Sequence, residues 1–266
     1  MTALTMHAVT RRLQDSVAHI EFDADKHRYF CNGKRIPGVT TILGVLAKPA
    51  LIGWAARMAV EHVAGNEDRL ATELELVLDE AKGAHRQIAK EGADLGTLAH
   101  EAINVWCAGE VWDTYLPEDP QARNSTLAML KWMEHAGVEV LASEVIVAPA
   151  DPASWAGTVD LVGHVDGKLL VADMKSNRSG VYAEHLLQGA AYAACVERAL
   201  EIPIDETIVV HACRETGIPS IVSRTREQWL RDAEIFQACL ASYTALKELN
   251  KAVKQPVVIN DAEAVA

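Results

Sequence analysis

Between residues 18 and 22 apolar and polar positions alternate, Ile20 and Phe22 against His19 and Glu21. That period of two predicts a strand. Residues 28–31 form a second short run and residues 34–36 a third. Asn32-Gly33 between them is the residue pair of a tight hairpin turn. Pro37-Gly38 then breaks the chain, and residues 39–46 are an apolar stretch that ends at Pro49. Trp54, Met58 and His62 recur at steps of four, which predicts a helix over residues 51–63. Residues 71–108 keep a helical pattern, with a break expected around Gly83 and softer points at Gly92 and Gly96. Residues 117–120 read as a loop, and residues 122–136 as a helix ended by Gly137.

Beyond Gly137 the period changes. Residues 138–147, 157–165 and 168–175 alternate or run apolar, as strands do. Residues 182–200 predict a helix, 207–213 a strand and 226–252 a long helix. The order is β-β-β-α-β-α. The first three strands form an antiparallel meander, and the last, reached through a helix, returns parallel by a right-handed crossover. The expected fold class is α/β, a mixed central sheet flanked by helices. Residues 1–266 read as one domain: 1–135 a β and helical elaboration, 136–255 the core, and 256–266 a loose tail.

Composition narrows this picture. The 266 residues are half apolar, enough for a packed core, which excludes disordered and collagen-like classes. No apolar run is long enough to span a bilayer, and no apolar stretch follows Arg11 and Arg12 to make a secretory signal. The five cysteines are scattered without a CxxC, so reduced thiols in a cytoplasmic protein are expected rather than disulfides or a zinc ribbon. The net charge of −12 argues against coating nucleic acid by bulk charge. Residues 1–60 nonetheless hold eight Lys/Arg against four Asp/Glu, a net of +4, so the remainder carries −16. No GxxxxGK[ST] occurs, so no nucleotide cofactor or ATPase is expected.

The chemistry concentrates in GTVDLVGHVDGKLLVADMKS, residues 157–176. Asp166-Gly167 is a two-residue turn signal. The register it sets places Asp160 opposite Asp173, with Cβ atoms about 4.5–5.5 Å apart. Lys175 points to the same face. Facing carboxylates repel, and a hard divalent cation between them reverses the sign. The plain alternative is an Asp–Lys ion pair on a wet sheet face. His100 taken alone is an ordinary helix histidine. Gln188 and Tyr192, four apart, taken alone are a polar stripe, and Glu144 an exposed strand carboxylate. For His164, His211 and Arg214 the simpler reading is a surface role.

Together these residues resemble the PD-(D/E)XK nuclease superfamily, in its RecB-like exonuclease branch, which includes phage-type and mitochondrial genome maintenance exonucleases. GTVD–x₁₂–DMK resembles its paired carboxylates and lysine. DLGTLAHEAI, residues 94–103, resembles its G-T-x-x-H helix. Gln188–x₃–Tyr192 resembles the motif on its following helix, and HRYFCNGKRIPGVTTIL its opening, with Gly38 where a serine is usual. The resemblance covers residues 20–55 and 94–215.

It implies a restriction-endonuclease-like core and a Mg²⁺- or Mn²⁺-dependent DNA exonuclease. His100, Asp160, Asp173 and the Met174 carbonyl would be the metal ligands, with Glu144 supporting through water. Lys175 would be the catalytic lysine, completed by Gln188 and Tyr192. Lys26, Arg28, Lys34, Arg35 and Lys48 are candidates for a DNA path, with Trp54 a stacking or a core side chain. Cys195, Cys213 and Cys239 lie too far apart for the iron–sulfur cluster some relatives carry, so none is expected. The resemblance also implies a bacterial or phage-infected cytoplasm and a role in recombination beside a single-strand annealing protein. A structure-specific endonuclease and a non-catalytic DNA-binding module remain alternatives. A two-carboxylate glycosidase has no need of Lys175.

Overall fold

Two hairpins of the chain close where an Asn-Gly and an Asp-Gly pair supply left-handed backbone. The computed structural model describes residues 4–24, 26–109, 115–150 and 152–254; the tail after Pro256 lies outside them. Asn32 and Gly33 have φ of 50° and 72°, and Asp166 and Gly167 have 49° and 76°. Positive φ at both central positions matches the twist of a two-residue hairpin. The first turn joins β2 (Arg28–Cys31) to β3 (Lys34–Ile36), and with β1 (Ile20–Asp23) they make a three-stranded antiparallel sheet.

A helix that the polar N-terminal sequence does not announce precedes this sheet. In α1 (Met6–Ser16) only Val9 and Leu13 turn inward. Those two residues join the main core. The apolar stretch after Pro37 is a short helix, α2 (Val39–Leu43), followed by α3 (Pro49–Ala64).

The expected break at Gly83 does not occur. Helix α4 (Leu70–Cys107) runs 38 residues, and only Glu73 leaves helical geometry. Each internal glycine costs about 1 kcal/mol. Tertiary contacts outweigh that cost: Ala81 and Ala84 are buried around Gly83. Glu80 also accepts from Arg69 at 3.0 and 3.2 Å and meets His62 at 3.2 Å, fastening α4 to α3. In α5 (Pro120–His135) Asp119 caps the N–H groups of Gln121 and Ala122, and Gly137 leaves the helix with φ 60°.

The main sheet runs in the order β4 (Glu139–Val147), β5 (Gly157–Val165), β6 (Lys168–Lys175), β7 (Glu206–Ala212), β8 (Pro219–Thr225). Helix α6 (Ala183–Leu200) carries the chain from β6 to a parallel β7, as the pattern implies. The eighth strand is the omission of the sequence pattern, and the observed order is β-β-β-α-β-β-α. It is an exposed edge strand that begins with proline, so its Ile221 and Val222 do not read as a buried run. The last element of the described residues is α7 (Arg226–Val253).

One core, with residues from α1, α2, α6 and α7, covers one face of the sheet; a second, with residues from α4 and α5, covers the other. The protein is a mixed α/β fold with a five-stranded sheet between helices, consistent with a restriction-endonuclease-like core. Among the described residues no helix is long and apolar enough to cross a membrane.

Candidate metal centre and active site

The register set by Asp166-Gly167 holds from Val165↔Lys168 to Leu161↔Ala172, and then the ladder stops. Asp160 and Asp173 are therefore not a backbone pair, contrary to the simple extrapolation. Val159 and Val162, three apart, face the same core, so the alternation of β5 slips at Asp160. Directly across on β4, Glu144 takes φ 48°, a left-handed conformation inside a strand. Two desolvated carboxylates cannot sit face to face without cost. Asp160 instead turns Oδ2 to accept the Met174 backbone N–H at 2.6 Å, replacing a ladder bond. Asp173 is held by Lys175, whose Nζ lies 2.9 Å from Oδ1 and 2.8 Å from Oδ2. Only the Oδ1 contact has hydrogen-bond geometry, which leaves Oδ2 buried without a hydrogen bond.

Helix α4 delivers His100 to this point. Its Nδ1 lies 3.2 Å from Glu144 Oε1 and 3.7 Å from Asp160 Oδ1, and its Nε2 lies 3.2 Å from the Met174 carbonyl. One ligand atom each from His100, Glu144 and Asp160 fall within 4.8 Å of one another, spacing that can hold a metal ion. Glu144 thus belongs to the donor group itself. Asp173 lies behind it in the ion pair with Lys175.

Burial works against the charged His100 ring, but Asp160 and Glu144 outweigh it and push the imidazole up to about 9. Burial raises Asp160 and Asp173 above the usual carboxylate range, against the pull of Lys175. Burial disfavours the Lys175 ammonium as well, yet Asp173 and Asp160 hold it charged. The His100 imidazole, the Glu144 and Asp160 carboxylates and the Met174 carbonyl are a nitrogen and oxygen donor set. Such a set fits a hard or borderline divalent cation.

Gln188 and Tyr192 stand together on α6, the amide donating to the phenol oxygen at 3.1 Å, both buried. The Tyr192 ring packs against Gly157, where a Cβ would come within 2.4 Å of it. That contact explains the glycine that opens β5. Three contacts have no clear sequence signal. Tyr29 of the small sheet shares a 2.8 Å hydrogen bond with Thr158, two residues before Asp160. Ser143 Oγ meets Asn104 at 2.6 Å and pins α4 beside Glu144. His185 faces Lys175 and Asp173, and burial together with Lys175 lowers it to about 4. Asn104 was reachable in principle, as the residue one turn after His100.

His100, Glu144, Asp160, Lys175, Gln188 and Tyr192 line a cleft of about 2280 Å³ between the small sheet, α3, α4 and the main sheet. Arg28, Arg35 and Lys48 line it, Lys48 paired with Glu184 at 2.9 Å. Lys26 pairs with Asp23 instead, and Lys34 does not reach the cleft. Trp54 is half-buried on the cleft wall, edge-on to His85, so it is not a core residue. His211 and Arg214 are buried, not superficial. His211 bonds the Asn177 carbonyl at 2.8 Å, because the loop after β6 folds over the end of β7. His164 is half-buried beside Glu139.

No protein-family model matches the chain, and no curated protein matches it. Among solved structures the chain is similar to SSO0001, at 12% identity over 87% of this chain and 84% of that one, with a TM-score of 0.34. It is also similar to an alkaline exonuclease, LHK-Exo, from Laribacter hongkongensis, at 16% identity over 48% of this chain and 70% of that one, with a TM-score of 0.30.

Proposed function

We propose that this protein is a Mg²⁺- or Mn²⁺-dependent deoxyribonuclease that removes nucleotides from DNA ends. The observation that carries the reading is the meeting of His100, Glu144 and Asp160 within 4.8 Å, beside the Asp173–Lys175 pair, on the wall of one cleft. His100, Asp160, Glu144 and the Met174 carbonyl are the groups that would hold the ion, with Asp173 adding charge from behind. A divalent ion bound there supplies Lewis acidity toward a phosphate oxygen and lowers the pKa of a coordinated water.

The chain's own residues divide the rest. Lys175 stays protonated, so its role is to stabilise negative charge on the phosphate rather than to take a proton. Asp173 orients that ammonium. Gln188 and Tyr192 brace the sheet, the Tyr192 ring filling the space that Gly157 leaves at the start of β5. Arg28 and Arg35 on the opposite wall offer charge to the DNA backbone. A place in recombination, next to a single-strand annealing protein, follows from the sequence resemblance alone.

The test is digestion of end-labelled linear DNA against covalently closed circles, with Mg²⁺ or Mn²⁺, and Lys175→Ala as control. Loss of label from linear DNA only, abolished in the variant, is the expected result. Cutting of closed circles would make the protein an endonuclease on the same site. Inertness toward both substrates with both metals would overturn the reading.

A further inference from the structure

Helix α4 places Gly92, Gly96 and His100 on one face at steps of four, all lining the cleft. The two glycines leave the helix backbone bare. At Gly96 a Cβ would come 3.2 Å from Ser176 Oγ, and at Gly92 it would come 2.8 Å from a terminal nitrogen of Arg214. Arg214 follows the end of β7 and is only 8% exposed. Its guanidinium donates one hydrogen bond, to the Gly92 carbonyl at 3.3 Å, and its Nε has no partner. Among the described residues no carboxylate lies within ion-pair distance of it. The neighbouring Glu215 is taken by Arg178 at 3.0 Å. Asn124 fixes the loop from the other side, donating to the Arg214 carbonyl at 3.2 Å.

A buried guanidinium with an unmet donor and no counter-ion among the described residues is costly unless something anionic joins it. Its planar fork suits phosphate oxygens. Eight residues of helix separate Gly92 from His100, about 12 Å, a few nucleotides along a DNA strand.

We propose that Arg214, over the bare Gly92–Gly96 face of α4, is a binding site for a backbone phosphate of the DNA strand, a few nucleotides from the one cleaved at His100. The strand then runs along α4, with the reacting phosphate at one end of the row and an anchoring phosphate at the other. This assignment rests on the nuclease reading and names the substrate feature it requires: more than a single nucleotide beyond the reacting bond.

The experiment uses the full chain with Mn²⁺, two substrates, and the variants Arg214→Ala and Arg214→Lys. One substrate is an oligonucleotide; the other is bis(p-nitrophenyl) phosphate, a phosphodiester too small to reach from the metal centre to Arg214. Arg214→Ala should lose about tenfold in kcat/KM on the oligonucleotide, as expected for one charge-assisted contact, with the small diester unchanged. Arg214→Lys should recover part of the loss. Oligonucleotide binding without catalysis, in Ca²⁺, should show a salt slope smaller by about 0.7–0.9, one phosphate contact. A neutral methylphosphonate at one internal position should weaken the wild type and leave Arg214→Ala unaffected. Sensitivity only to removal of a terminal phosphate would overturn the backbone assignment in favour of an end-recognition site. Equal loss on both substrates with an unchanged salt slope would reduce Arg214 to a structural residue. A wild type inert on both substrates would instead refute the nuclease reading, and the salt slope would still decide for or against Arg214. If Arg214→Ala fails to fold, Gly92→Ala, which crowds the guanidinium from the helix side, takes its place in every arm.

Discussion

The two ends of the β5–β6 hairpin obey opposite rules. At the turn end, Asp166 and Gly167 adopt the backbone their side chains favour, and five residue pairs follow in register. At the other end the ladder stops, the alternation slips at Asp160, Glu144 takes a left-handed conformation and the Asp173 carboxylate lies buried. Local preference and global fold agree at the turn and conflict at the carboxylates. Conflict of that kind marks a place where stability has been given up for chemistry.

The largest effect should come from Asp160→Asn. The amide can still accept the Met174 N–H, so the fold survives, and removal of a buried charge should leave the metal-free melting temperature equal or higher. On the proposed function, the rate of DNA digestion should fall by roughly 10³-fold, about 4 kcal/mol. An equal loss of rate and stability would show that the far end is no different in kind from the turn. Lys175→Met should unfold the protein more readily, by about 3–5 kcal/mol, because it strands the Asp173 carboxylate. Adding Asp173→Asn should restore most of that stability and none of the activity, as read by denaturant melts beside rate assays.

Two glycines sharpen the contrast. Gly157→Ala puts a methyl against the Tyr192 ring and should cost about 1–3 kcal/mol from overpacking. Gly167→Ala meets nothing within 4 Å and pays only for its positive φ, about 1 kcal/mol. Melting curves of the two variants should rank in that order.

The smallest effect concerns pH. The folded imidazole of His100, at about 9, lies above its unfolded value of 6.5. Its contribution is complete below 6.5 and lost as pH rises through 9. Asp160 and Asp173, also raised, act with the same sign at lower pH. The metal-free protein should therefore melt at lower temperature at pH 9 than at pH 6.5, and His100→Ala should flatten that slope. A divalent cation competes with the same protons, so Mn²⁺ should stabilise more at the higher pH.

The turn end was legible in the sequence because its information is local: an Asp-Gly pair and two alternating runs suffice for the register from Val165 to Leu161. The residues gathered at the far end were also nameable, since motif spacing carries them, but their division of labour was not. Nothing local says that Asp160 would accept a backbone N–H, or that Glu144 would join His100 while Asp173 retreats to Lys175. Those outcomes depend on which oxygen finds which partner after α4 docks. Helix α1 and strand β8 escaped for a related reason: each shows few inward apolar positions, and their places are set by neighbours far along the chain. Arg214 read as surface because its burial depends on Gly92, more than a hundred residues earlier.

One bond has a consequence for how the molecule assembles. The Asp160–Met174 contact closes the hairpin with a side chain standing in for a backbone carbonyl. A hairpin nucleated at a strong turn zips outward, because short loops close at the least entropic cost. Within the hairpin's own ladder, the carboxylate end is then the last stretch to close. A chain arrested short of its final structure would hold a sound turn and no cation-binding centre.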